Sequence, residues 1–146
     1  VATRFFNVFG PRQDPKSPYS GVISKVFDSF ENNKRFTFYG DGLQSRDFIY
    51  ISDVVEAIKL VMLSTNTSGN VYNVGTGKSI DLLSVFKIVE GLYEKNIDIE
   101  FKEARLGDIK HSYADIHELK TLGFTPKYGI NQALKKYFDY CGVKVK

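Results

Sequence analysis

Apolar residues along the chain fall into two alternating rhythms. Short runs of four to eight residues read as strands: Val1–Val8, Phe36–Tyr39, Asp47–Ile51, Asn70–Val74 and Ile97–Phe101. Between them lie segments with helical spacing. In Ser17–Asn32 the residues Val22, Ile23, Val26, Phe27 and Phe30 share one face, with Ser17 as cap and Pro18 in the first turn. In Val54–Leu63 the stripe is Val54, Ile58, Val61 and Met62, with Ser52 or Asp53 as cap. Asp81 is placed to cap a helix reaching Tyr93, with Leu82, Val85, Phe86, Val89 and Leu92 inward. A short helix, Ile116–Leu122, follows Asp115 and closes at Gly123; Ile130–Cys141 is the last. Asn66–Gly69 reads as a turn and Val143–Lys146 as a frayed tail. Short strands alternating with capped amphipathic helices predict an α/β fold with parallel strands.

Composition narrows the function. The 146 residues suffice for one core, and 14% aromatics is globular. Twenty basic and 17 acidic residues give a net charge of +3, scattered along the chain, so no nucleic-acid footprint appears. A single cysteine, Cys141, rules out an internal disulfide, and two histidines with it make a poor metal set. No apolar run has the length of a membrane span and no signal peptide is visible, which points to the cytoplasm. Val1–Val8 opens directly as an apolar strand without initiator Met, turn or cap. This implies an upstream region that would flank it in a larger sheet.

Three stretches carry candidate chemistry. Arg46 stands on a structured rim after the Gly40–Asp41–Gly42 turn. Its guanidinium fork suits a phosphate or carboxylate; the alternative is a salt bridge to Asp47 or Asp53. Asn7, at a strand end, offers both donor and acceptor where α/β proteins bind ligands. In the loop Ala104–Ser112, Arg105 and Asp108 either pair with each other or take phosphate and hydroxyls respectively. Gly75-Thr76-Gly77 lacks the GxGxxG spacing and reads as a tight loop.

RFFNVFGPRQDP, YGDGLQSRDFIYISDVVEAI, NVGTG and RLGDIKHSYAD, in this order, resemble the C-terminal half of the extended short-chain dehydrogenases. Within these the likeness is to nucleotide-sugar 4-epimerases acting on UDP-glucose and UDP-N-acetylglucosamine. The resemblance implies an NAD-binding Rossmann part upstream carrying the cofactor loop, a Ser or Thr and a YxxxK pair. Residues 1–146 would then be the substrate-binding part, with residues 1–15 and about 48–78 also contributing to the Rossmann sheet and its helices. No catalytic residue is assigned here: Tyr19, Tyr93 and Tyr137 have Ile23, Ile97 and Cys141 at the YxxxK offset.

Carried over by resemblance, Phe5 and Phe6 line the nicotinamide side, and Asn7 holds the sugar or its diphosphate. Gly21 and Val22 meet the uracil edge; Phe36 and Phe38 lie on the strand beside the base. Arg46 and Arg105 bind the diphosphate and Asp108 the ribose. Ser112, small where hexose-restricted epimerases are bulky, leaves room for an N-acetyl group. The implied reaction is oxidation at the sugar C4 by NAD, rotation of the 4-keto sugar and return of hydride. Nucleotide-sugar 4,6-dehydratases, glucuronate epimerases and UDP-glucuronate decarboxylases share the scaffold, and a non-catalytic binding module would keep the same three charged residues. The expected partners are a UDP-sugar and, for the whole protein, a second copy. The present stretch alone is expected to be inactive and to self-associate through an exposed sheet edge.

Overall fold

The structure, a computed structural model, describes residues 1–65 and 67–143, the side chain of Val143 excepted. Its elements in chain order are β1 (Ala2–Phe5), β2 (Asn7–Phe9), α1 (Val22–Glu31), β3 (Phe36–Tyr39), β4 (Ser45–Arg46) and β5 (Phe48–Tyr50). There follow α2 (Ile51–Leu63), β6 (Val71–Val74), β7 (Ile80–Asp81), α3 (Leu82–Tyr93), β8 (Ile99–Lys102), α4 (His117–Thr121) and α5 (Ile130–Val143). The expected tail beyond Val143 lies outside the described residues, as does Asn66 of the expected turn.

Three parallel ladders, β1–β6, β2–β5 and β3–β8, and one antiparallel ladder, β4–β7, make up the sheets. The parallel pairing matches the α/β expectation. The single strand expected over Val1–Val8 is divided, however. Residues 2–5 pair with β6, and from Asn7 the chain turns to β5. Phe6 is the switch: its N–H still reaches Val74 O, while the N–H of Asn7 reaches Asp47 O.

Strand β5 is buried on both faces and separates two cores. Phe48 and Tyr50 point into a large aromatic cluster with Phe9, Phe27, Phe30, Phe86 and Tyr137, backed by α1, α3 and α5. Ile49, between them in the alternation, enters a smaller aliphatic cluster with Val54, Ala57, Val61 and Val74. Phe30 is the centre of the first: its ring lies 5.1 Å from Phe86 and 5.3 Å from Tyr93.

Several caps differ from expectation. Helix α1 starts at Val22 with Gly21 at its cap, because Asp14–Ser20 closes on itself: the N–H of Ser17 reaches Asp14 O and that of Ser20 reaches Ser17 O. Helix α2 starts at Ile51, so Asp53 is inside its first turn; buried, it accepts from the N–H of Tyr128 and tethers the approach to α5. Met62, expected in the core, is 76% exposed, since α2 turns that side away from the sheet. Asp81 does cap α3, its two oxygens accepting from Ser84 N–H and Ser84 O–H, both at 2.7 Å. None of the described helices is long and apolar enough to cross a membrane.

Candidate functional site

A cleft of about 240 Å³ opens between α1, β3 and the loop after β8. Val22, Phe36, Phe38, Arg105 and Asp108, nominated separately from sequence, all border it, and Gly21 is the cap just before Val22. They meet because β3 and β8 run parallel and adjacent, which delivers the loop after β8 to the end of β3. Strand alternation refines the roles on β3. Phe36 and Phe38 face the core, at 7% and 2% exposure, and supply the floor; Thr37 and Tyr39 carry the accessible side chains.

The charged groups are arranged differently from the simplest sequence pairings. Arg46 bonds neither Asp47 nor Asp53. Its guanidinium donates to Asp108 at 2.7 Å, to Ser45 O at 2.8 Å and to Lys110 O at 3.4 Å. Arg105 does not pair with Asp108; its guanidinium carbon lies over the Tyr39 ring, 4.0 Å from its centre. Tyr39, Gln44, Arg105 and Asp108 also wall a second hollow of about 260 Å³ that adds Asp41 and Lys110.

The remaining candidates lie outside the cleft, Asn7 and Ser112 bonded to the neighbours of Arg46 in the chain. Asn7 is opposite Phe48 in the β2–β5 ladder, and its amide reaches Asp47 O at 3.4 Å. Ser112 donates its N–H to Ser45 O, next to a bridge between Ser45 and His111. Phe5 ends β1 with 48% of its surface exposed, and Phe6 follows it at the partner switch. The Arg46–Asp108 pair thus joins a cleft group to a strand-end group.

Residues that the sequence reading passed over also belong here. Lys25 lines the cleft from α1, one helical turn beyond Val22, a spacing that places both on one face. Tyr39 is legible in the same way, from alternation along β3. Asp47 had no such signal. It is fully buried, and its carboxylate gathers four donors: Thr76 N–H at 2.8 Å, Thr76 O–H at 2.6 Å, Gly77 N–H at 2.9 Å and Ala114 N–H at 3.1 Å.

No tyrosine of the described region borders the cleft with a lysine four residues on. Tyr140 does have Lys144 at that spacing, but it sits on α5, stacked on Tyr137, and Lys144 is outside the described residues. Tyr137 is unsuited to act as a base, since burial foremost, and then Cys141, pushes its phenol well above the ordinary range. Among the described residues no cluster of three or more His, Cys, Asp or Glu forms a metal site.

The sequence profile of the NAD dependent epimerase/dehydratase family matches residues 1–75. The chain belongs to that family. It is 31% identical over 137 residues to a putative UDP-glucose 4-epimerase of Methanocaldococcus jannaschii, covering 94% of this chain and 44% of that protein. It is 30% identical to the dTDP-D-glucose 4,6-dehydratase of Bos taurus, covering 96% of this chain and 40% of that one. Among solved structures, the UDP-N-acetylglucosamine 4-epimerase of Methanobrevibacter ruminantium, in complex with UDP-N-acetylmuramic acid, is 40% identical with a TM-score of 0.87, over 99% of this chain and 46% of that one. The UDP-glucuronic acid 4-epimerase of Bacillus cereus, in complex with UDP-glucuronic acid and NAD, is 28% identical with a TM-score of 0.89, over 99% of this chain and 45% of that one. The chain spans about half the length of the relatives it matches. The fold is that of a Rossmann-like epimerase/dehydratase.

Proposed function

We propose that this chain is the C-terminal, nucleotide-sugar-binding part of an NAD-dependent 4-epimerase for UDP-hexoses and UDP-N-acetylhexosamines. Residues 1–15 and about 48–78 complete a Rossmann sheet and its helices, and the remainder forms the substrate lobe. The observation that carries the reading is the pair of arginines. Arg46 and Arg105 arrive from elements far apart in the chain; Arg105 and Asp108 border one cleft, and Arg46 is bonded to Asp108. Two forks at one edge suit a diphosphate, which offers acceptors in two groups. The apolar end of the cleft, with Val22, Phe36 and Leu82, suits a flat base, and Asp108 is within reach of ribose hydroxyls. Asn7 and Ser112, on the other side of Arg46, take the hexose.

NAD, when bound, supplies reversible hydride transfer at the sugar. Of this chain's residues, Phe5 and Phe6 would face the nicotinamide; the half-exposed Phe5 ring at the end of β1 is apolar surface of the kind such a ring packs against. The half-exposed surface of β1 and β6, which includes Phe5 and Val71, would meet the rest of the protein, or a second copy of the chain when that part is missing.

The test uses protein translated from the whole reading frame. UDP binding is measured by calorimetry, and UDP-glucose and UDP-N-acetylglucosamine are incubated with NAD. The expected result is UDP binding and equilibration with the corresponding 4-epimers. A 4-keto-6-deoxy product, turnover confined to UDP-glucuronate in a parallel incubation (to its 4-epimer, or to a pentose with release of CO2), or no turnover with UDP bound would each replace the 4-epimerase reading. Protein of residues 1–146 alone is expected to show no turnover.

A further inference from the structure

We propose that Asp47 is a positioning residue of the nucleotide-sugar site, whose buried carboxylate locks Arg46 and the loop bearing Asp108 and Ser112 into one frame. The inference rests on the function proposed above. Asp47 is 0% exposed, yet none of the ion pairs among the described residues includes it. A carboxylate buried without a counter-ion is costly, and only several charge-assisted hydrogen bonds offset that cost. The two oxygens divide the task. Oδ1 accepts the N–H and O–H of Thr76; Oδ2 accepts the N–H groups of Gly77 and Ala114.

These donors come from two loops, not from helix or strand interiors. The Gly75–Gly77 loop is shaped for this contact. A Cβ on Gly75 would fall 2.5 Å from the Ala114 Cβ and 2.8 Å from Asp47 Oδ2, so only glycine fits. Gly77 has φ of +73°. The carbonyl of Asp47 meanwhile receives the backbone N–H of Asn7 at 3.1 Å and its side-chain amide at 3.4 Å. One residue therefore ties together four segments distant in sequence.

Two of the ties, to Asn7 and to Ala114, end close to a proposed ligand contact. Asn7 is bonded directly. Arg46 is the neighbour in the extended chain, so its side chain departs from the opposite face. Ala114 lies two residues after Ser112, and Asp108 is held on Arg46. An apolar residue at position 47 would fill the space without fixing any of these bearings.

The test is Asp47→Asn in the whole protein. The asparagine keeps the volume but turns an NH₂ group toward N–H groups that now face an acceptor, so one loop loses its anchor. The expected result is a rise of roughly 10- to 100-fold in KM for UDP-sugar, the scale of an ångström-sized misplacement, with kcat within about threefold. The UDP dissociation constant rises by the same factor. Val61→Ala, in the aliphatic core away from the cleft, serves as a control for general destabilisation. It lowers the melting temperature and leaves KM within about twofold, the independence expected of a distant site. Thr76→Val removes one donor and shifts KM in the same direction by less; it carries the test if Asp47→Asn does not fold. KM and UDP affinity moving no more than in Val61→Ala would overturn the proposal, whereas wild-type protein that binds no UDP would remove the functional reading beneath it.

Discussion

Arg46 donates to the carboxylate of Asp108 at 2.7 Å across 62 residues of sequence. Two further bonds, to Ser45 O and Lys110 O, hold the same guanidinium, so its direction is set before any ligand arrives. A pre-aimed cation loses little entropy on binding an anion. In the whole protein, Arg46→Ala is expected to weaken UDP binding by about 2–5 kcal/mol, the range for truncating one member of a hydrogen-bonded charge pair. Arg105, exposed and resting on Tyr39, is expected to contribute about 1.5–3 kcal/mol as a charged hydrogen-bond donor. Calorimetry on both variants checks this; unchanged affinity in each, with the fold intact, would leave both arginines purely structural.

Ser112 donates its N–H to Ser45 O, one residue from Arg46 and beside the bridge between Ser45 and His111. Its small side chain is expected to admit a bulky substituent at the sugar C2. Ser112→Tyr fills that room, at an overpacking cost of about 1–3 kcal/mol for the N-acetyl substrate alone. The ratio of kcat/KM for UDP-N-acetylglucosamine over UDP-glucose is then expected to fall roughly 5- to 150-fold. A ratio that does not move would assign the pocket wall to another residue, Tyr113 first.

Asp81 links a local motif to pH. Burial works to raise its pKa, but the hydroxyl and amide of Ser84 outweigh it, and the carboxyl is held below its usual value. A depressed folded-state pKa means that the cap stabilises fully above the unfolded carboxylate range. That contribution is lost as pH falls through the folded value. Asp81→Ala is expected to cost about 1 kcal/mol at neutral pH. Denaturant melts of the two proteins should differ by a constant amount from pH 6 to 7, begin to converge below about pH 4, near the model-peptide value for aspartate, and coincide only below the lower folded-state value. A gap that persists at low pH would contradict the cap's role.

Phe30, 0% exposed between Phe86 and Tyr93, is the keystone of the aromatic cluster. Phe30→Ala is expected to cost about 3–5 kcal/mol in urea unfolding, through lost transfer energy and an unfilled cavity. A loss below about 1 kcal/mol would mean that the rings repack into the space.

Much of the architecture is local information and could be read from the sequence. Phe36–Tyr39 alternates and is a strand with those bounds. The Asp81 cap and the α3 stripe need only residues within one or two turns of each other. The apolar face of α1 likewise follows from spacing, and so does the parallel α/β class. The helix starts at α1 and α2 differ from the local cap signals because distant or competing bonds take the capping residues: Ser17 joins a turn with Asp14, and Asp53 accepts from Tyr128.

Partner choice belongs to the tertiary structure. Nothing within a few residues of Arg46 says that its carboxylate is Asp108 rather than Asp47. The answer depends on β3 and β8 pairing and bringing the following loop back across the chain. The same holds for Asp47, whose donors lie 29, 30 and 67 residues away. It also holds for the break at Phe6, where one apolar run is shared between β6 and β5. A sequence determines which side chains are available and which way neighbouring ones point, because those follow from local backbone geometry. Which of them meet is decided only when the loops between them close, since each long-range bond repays its entropy only in concert with the rest of the packed core.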